Sequence, residues 1–245
     1  MNIKKLIPKS IKNSIKLIDG LLFSTLAKSN KNYKCTKDTK RCFYNKKSPN
    51  YKYEYFGKNT PICCATHLYN ILKDVTKVLE ESNLEYFISF GTLLGAVRHK
   101  GLIPWDTDVD IVIAQKDNQE ILKTLKDKLG LKYYIKEDID YSIVGKKLIR
   151  VYLSKINSLH IDLFFYKEQE DLIIFGFNRK IKKSKIYPLK KIDFYDLKLF
   201  APADIDFQLN LFYGSDYMEY AYKQWAFNKS KFKITNYLPA KIDND

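Results

Sequence analysis

Cysteine is scarce in this 245-residue chain, and its four copies, Cys35, Cys42, Cys63 and Cys64, all fall in the first third. Two disulfides could use them in a secreted protein. The opening MNIKKLIPKSIKNSIKLIDGLLFSTLAKS is basic, however, and holds no unbroken apolar stretch followed by a small-residue cleavage site. The expectation is therefore a reducing, cytoplasmic setting, where clustered thiols are more often metal ligands than bridges. Long apolar runs are also missing: no window approaches the roughly 18 to 20 residues of a membrane span, which excludes a transmembrane bundle. No internal repeat is visible. Acidic residues are in deficit, 28 against 43 Lys and Arg, for a net charge of +15. Such an excess fits an anionic partner (nucleic acid, an acidic membrane surface or a phosphorylated substrate), but lysines this dispersed also make an ordinary solvated surface. What the chain does have is apolar bulk, 45% hydrophobic with 19 Tyr and 15 Phe. That excludes wholesale disorder and supplies the core of one large domain or two small ones.

Three stretches organise the chain. In residues 1–29, Ile3, Ile7, Ile11, Ile15, Ile18 and Leu22 recur at spacings of three and four while Lys4, Lys5, Lys9, Lys12 and Lys16 take other faces. This predicts a basic amphipathic helix bent near Pro8, able to lie on an anionic membrane or to pack on the body or a second copy. Residues 30–64 are polar, Tyr-rich and broken by Pro and Gly, a loop that needs an internal staple. From Thr66 the pattern turns helical, with Leu68, Leu72, Val75 and Leu79 on one stripe. The strand LEYFISF follows, ending at Gly91, and then the strand TDVDIVIA. A helix capped by Asp117 and stopped at Gly130 comes next. The segments LKYYI, YSIVG, LIRVYL, LHIDLFFY, LIIFGF and FYDLKLFAP read as β, and a last helix runs from Asp204 to Gly214. The fold class expected is mixed α/β (α+β) on one sheet, with a helical C-terminal trailer.

Chemistry concentrates in FGTLLGAVRHKGLIPWDTDVDIVI. Asp106, Asp108 and Asp110 stand at alternate positions, so an extended backbone turns all three to one face while Val109 and Ile111 enter the core. Like charges this close are costly without a cation among them, and hard oxygen ligands favour Mg²⁺ or Mn²⁺. A cation held by two or three carboxylates keeps positions open for phosphate, which points to phosphoryl chemistry. Gly91 and Thr92 upstream suit a phosphate-cradling turn. Asp162, in an otherwise apolar strand with His160 on its face, is the natural third acid. Arg98, His99 and Lys100 are cations placed for diphosphate oxygens, or charges at a helix C-terminus.

The run G-T-L-L-G-A-V-R-H-K-G-x-I-P-W-D-x-D-x-D resembles the signature of the LicD and fukutin-related phosphotransferases, a branch of the nucleotidyltransferase fold. The likeness continues through NSLHIDLFFY and YPLKKIDFYDLKLFAP to YGSDYM. The resemblance implies a nucleotidyltransferase-like catalytic domain, taken as residues 65–245, that moves a phospho-alcohol (ribitol 5-phosphate, glycerol phosphate or phosphocholine) from a CDP-linked donor to a glycan acceptor. It implies catalytic roles for Asp108, Asp110 and Asp162 around Mg²⁺, with Asp106 nearby. It also implies that Cys35, Cys42, Cys63 and Cys64 form a structural Zn²⁺ site. A closed tetrahedral Cys₄ zinc would independently suit a coreless loop. The competing reading from another class is a nucleic-acid nucleotidyltransferase or binder of the same fold.

Overall fold

Seven strands form one sheet in the order β1-β2-β5-β4-β3, continued from β5 by β6 and β7. The strands are β1 (Tyr86–Ile88), β2 (Asp110–Ala114), β3 (Tyr134–Asp140), β4 (Lys146–Tyr152), β5 (His160–Gln169), β6 (Leu172–Phe175) and β7 (Arg179–Lys182). Among the described residues only β2 and β5 run parallel, and their neighbours pair antiparallel. These facts come from a computed structural model that describes residues 30–40, 59–140, 146–175, 178–225 and 228–243, with isolated positions 8, 11, 14 and 18. The expected YSIVG segment, most of the amphipathic stretch 1–29 and residues 41–58 lie outside the described residues. Ile11, Ser14 and Ile18 are helical and exposed.

Alternation along the strands makes two apolar faces. Tyr86, Ile88, Ile111, Ile113, Ile149, Val151, Ile161 and Leu163 join the main core. Two helices cover that face: α1 (Ile62–Glu81), through Leu68, Leu72, Val75 and Leu79, and α3 (Asn118–Leu129), through Ile121, Leu125 and Leu129. On the other face Phe87, Val112, Ala114 and Tyr166 pack with Ile173, Phe175, Ile181 and Ile186 in a second cluster.

Several elements depart from the expectation. α1 begins at Ile62, directly after Pro61, before the predicted start at Thr66; Pro lacks the N–H that a first turn leaves unused anyway. Asp117 sits at the N-cap of α3, after a short 3₁₀ turn, but its side chain accepts no capping bond. The stretch read as strand end and link contains a helix, α2 (Phe90–His99), that ends at Lys100 with φ 60°. The ladder of β2 begins only at Asp110, so Asp106 and Asp108 precede the strand, although Val109 and Ile111 do enter the core.

After β7 come the single turn α4 (Lys183–Ile186), the hairpin β8 (Lys190–Phe194) and β9 (Leu197–Ala201), and α5 (Ile205–Tyr213), whose start is capped by Asp204. The trailer is not all helical. A second hairpin, β10 (Tyr220–Trp225) and β11 (Asn228–Lys233), follows α5. Beyond it residues 234–243 run as a strap: Ala240 N–H donates to Leu102 O at 2.9 Å, Tyr195 Oη donates to Ala240 O at 2.7 Å, and Asp243 N–H donates to Thr66 Oγ1 at 2.8 Å. Residues 30–40 dock on the β4–β5 turn, where Asn157 Nδ2 donates to Thr36 O at 2.9 Å and Ser154 Oγ donates to Lys37 O at 2.5 Å. Among the described residues no helix is long and apolar enough to cross a membrane.

Candidate active site

The N-terminal end of β2 meets the N-terminal part of β5 and the first turn of α2. Register fixes the pairing: Asp110 stands opposite Asp162 on the parallel neighbour, Asp162 stands opposite Arg150 on β4, and Arg150 stands opposite Lys136 on β3. Directly paired residues share a face and neighbouring strands lie about 4.8 Å apart. The sequence therefore lays one rung across four strands, two acids followed by two bases.

Each acid is held by backbone geometry. Asp110 donates its N–H to Thr92 Oγ1 at 2.8 Å, and its carbonyl accepts from Ser89 N–H at 3.3 Å. Thr92 is thus buried as a brace for Asp110. Ser89 is fixed in turn by Gln208 Nε2 of α5, which donates to its Oγ at 2.6 Å. Asp162 donates its N–H to Val109 O at 2.9 Å, tying β5 to the residue between Asp108 and Asp110. Asp106 follows a turn closed by its own N–H to Ile103 O, and its Oδ1 accepts from Thr107 N–H at 2.9 Å. Its carboxylate lies against Gly91: a Cβ there would stand 2.7 Å from Asp106 Oδ2. Glycine in the first turn of α2 leaves room for that carboxylate to lie where it does.

Charges around the centre are uneven. Asp162 is 8% exposed, and Arg150 grips it with a fork, Nε to Oδ1 at 2.8 Å and one terminal nitrogen to Oδ2 at 3.4 Å. His160 Nε2 is 3.5 Å from Oδ1. Burial pushes the Asp162 carboxyl up, His160 and Arg150 pull it down, and Asp108 adds to the push. The forked contact is that of a charged pair. The Tyr213 phenol, half-buried at the end of α5, is held well above its ordinary range first by loss of solvent and then by Asp110, Asp106 and Asp108. It marks where the fields of the three acids overlap.

The predicted cations stand in the last turn of α2 and at its C-cap, as the alternative of charges at a helix C-terminus expects. Arg98 is 4% exposed and turned toward the C-terminal segment, donating to Tyr217 O at 2.7 Å and to His99 Nε2 at 3.0 Å. Burial draws its guanidinium down to about 10, so it remains charged at neutral pH, with Asp106 among the charges near it. His99 is buried, and burial and then Arg98 draw it down to about 4, so it is neutral. Lys100 is exposed at the far end of α2 from Gly91 and Thr92, lining a cleft of about 720 Å³ with Lys185 and Lys190. Among the described residues no three side chains converge into a ready-made metal cage.

Sequence reading missed Arg150 and Tyr213. Arg150 carries a visible signal, an arginine at an inward position of LIRVYL that can pair with the lone acid of LHIDLFFY; Tyr213 lies only in the YGSDYM tail.

Of the cysteines, Cys35, Cys63 and Cys64 form no disulfide, and Cys42 lies outside the described residues. The Cys63 thiol is drawn down to about 5, chiefly by Cys64 and against burial, with Cys35 also contributing. Cys63 and Cys64 stand in the first turn of α1, and His67 Nε2 of the same helix lies 2.7 Å from Cys35 O.

Residues 83–204 match the family described as LicD/FKTN/FKRP, nucleotidyltransferase domain. The chain belongs to this family. The matched stretch of the LicD/FKTN/FKRP domain holds α2, the three acids before and at β2, Arg150 and Asp162, and stops before Tyr213. Among relatives, ribitol 5-phosphate transferase FKRP of Homo sapiens is 36% identical over 140 residues, which is 54% of this chain and 27% of the relative. The protein RT0683 of Rickettsia typhi is 33% identical over 144 residues, 57% of this chain and 43% of its own. Lipopolysaccharide cholinephosphotransferase LicD of Haemophilus influenzae is 40% identical over 53 residues, 22% of this chain and 20% of its own. The chain thus spans less than half the length of each of these three relatives.

Proposed function

We propose that this chain is a phosphotransferase that moves a phospho-alcohol from a CDP-activated donor to a glycan hydroxyl and releases CMP. The observation that carries the reading is the facing pair Asp110 and Asp162 on parallel strands, with Asp106 and Asp108 beside them. Relatives named ribitol 5-phosphate transferase and cholinephosphotransferase support the class. The donor set fits a divalent cation: hard carboxylate oxygens, two or three in number, leave the remaining positions to phosphate and water. In this reading Asp108, Asp110 and Asp162 hold Mg²⁺ or Mn²⁺, which when bound neutralises the diphosphate. The acceptor oxygen attacks the phosphorus that bears the alcohol, that new P–O bond forms as the bond to CMP breaks, and Asp162 orients the hydroxyl and takes up the proton it loses. Thr92 and Ser89 keep Asp110 in register while this happens. Catalysis of this kind rests on positioning and charge more than on covalent participation.

The test is CMP release from CDP-ribitol, CDP-glycerol and CDP-choline with Mg²⁺, with and without glycan. Asp110→Asn and Asp108→Asn are expected to keep the fold and to lose turnover by at least about 1000-fold. Release from no donor, together with nucleic-acid binding that falls steeply with salt, would favour the alternative suggested by the +15 charge.

We further propose that Cys35, Cys63 and Cys64 bind a structural zinc together with Cys42. The lowered Cys63, with Cys64 and Cys35 acting on it, supports this, since zinc takes thiolates. Elemental analysis is expected to find about one zinc per chain, lost in Cys63→Ser; metal-free protein of full stability under reducing conditions would overturn it.

A further inference from the structure

We infer that Arg150 is the positioning residue of the centre, fixing the plane of the Asp162 carboxylate through its fork so that Asp162 shares one cation with Asp110. This rests on the metal reading above and deepens it. Arg150 is opposite Asp162 in the β4–β5 register, so the backbone already brings the two side chains together. The two-point contact then removes the rotation about χ2 that a single contact would leave free.

Arg150 is itself anchored from behind. One of its terminal nitrogens lies 3.5 Å from Asp138 Oδ2, and that same oxygen accepts from Tyr152 Oη at 2.5 Å and lies 3.0 Å from Lys136 Nζ. Tyr152 packs its ring 4.9 Å from that of His160, whose Nε2 faces Asp162. A chain of contacts therefore runs Tyr152, Asp138, Arg150, Asp162, and only its last member is a proposed ligand. Its members come from three neighbouring strands, so the orientation of Asp162 is set by the sheet.

Charge and geometry can be separated. Arg150→Lys keeps the positive charge but loses the fork, so a change in cation affinity reports orientation and not repulsion. The probe is Mn²⁺ alone, titrated into the full-length protein and followed by the spin-resonance signal of the free ion, with thermal unfolding as the fold control. Arg150→Lys is expected to weaken Mn²⁺ binding about tenfold or more at an unchanged melting temperature, as loss of outer partners of metal ligands commonly does. Asp138→Asn, two contacts from the ion, is expected to weaken it by a smaller factor, and serves if the Lys variant folds poorly. Native Mn²⁺ affinity in both variants overturns the inference. Asp110→Asn tells its failure from that of the proposed function. If wild type binds Mn²⁺ and Asp110→Asn does not, while Arg150→Lys binds as wild type, only the positioning role falls; if wild type binds no Mn²⁺, both readings fall.

Discussion

Asp106 and Gly91 constrain each other through a single contact. An alanine at 91 would drive its Cβ to 2.7 Å from Asp106 Oδ2, and the carboxylate, as the end of a side chain, can turn away. Gly91→Ala is therefore expected to leave the melting temperature unchanged or raised, because Ala suits a helix better than Gly by up to about 1 kcal/mol. CMP release should fall on the order of 10- to 100-fold if Asp106 belongs to the centre; equal activity would place Asp106 outside it. His99 makes a separate prediction. Its folded value, about 4, lies below the ordinary 6.5, so between these values the unfolded chain binds a proton that the folded chain refuses. The stability that neutral His99 contributes is complete above about pH 6.5 and is lost as pH falls toward 4. His99→Gln, whose carbonyl can still accept from Arg98 Nε, should melt with a shallower acid slope than wild type; identical slopes would show that the imidazole is not the group responsible.

The link between α2 and β2 is clamped from outside by elements far along the chain. A Cβ at Gly101 would stand 2.6 Å from the Tyr195 ring and 2.8 Å from Pro239. That ring cannot swing clear, because it packs edge-on to Tyr69 and Phe194 and its hydroxyl donates to Ala240 O. Gly101→Ala should therefore cost about 1 to 3 kcal/mol in denaturant unfolding, the usual range for overpacking. Much of this architecture was legible in the sequence. The α1 stripe, the α3 core positions, the apolar alternation of β5 and the capped start of α5 all follow from period and caps that the structure keeps. α2 was not legible because Gly91, Gly95 and the flanking strand signals disguise a short helix whose stability comes from burial of Leu93, Leu94 and Ala96. The acids were read as one strand, yet β2 begins at Asp110, where its pairing with Asp162 of β5 starts. Arg98 and His99 look like solvent-facing cations in sequence. Only the C-terminal segment, which supplies Tyr217 O and covers them, makes them interior groups.

Across the whole molecule, the described part of the segment carrying the cysteines, residues 30–40, has no regular secondary structure and is tied to the body by single hydrogen bonds, among them Asn157 to Thr36, Ser154 to Lys37, Lys37 Nζ to Lys132 O and Ile62 N–H to Lys31 O. If zinc staples it, chelation should raise hydrogen exchange in residues 30–40 before it affects β2 or β5, whose strands are buried on both faces. Simultaneous loosening of both regions would mean that the metal supports the whole fold. The strap adds a matter of timing. Ala240 and Asp243 close onto Leu102 and Thr66, and the Asp243 carboxylate accepts from Asn32 Nδ2 at 2.6 Å. Ribosomes deliver residues 32, 66 and 102 long before residue 243, and such distant closures form late. The sheet can pair while synthesis continues, but the link that carries Asp106 lacks its outer clamp until position 243 has emerged. Until then a nascent chain holds Asp110 and Asp162 facing each other in the sheet, while Asp106 rides on a link that has only its inner contacts.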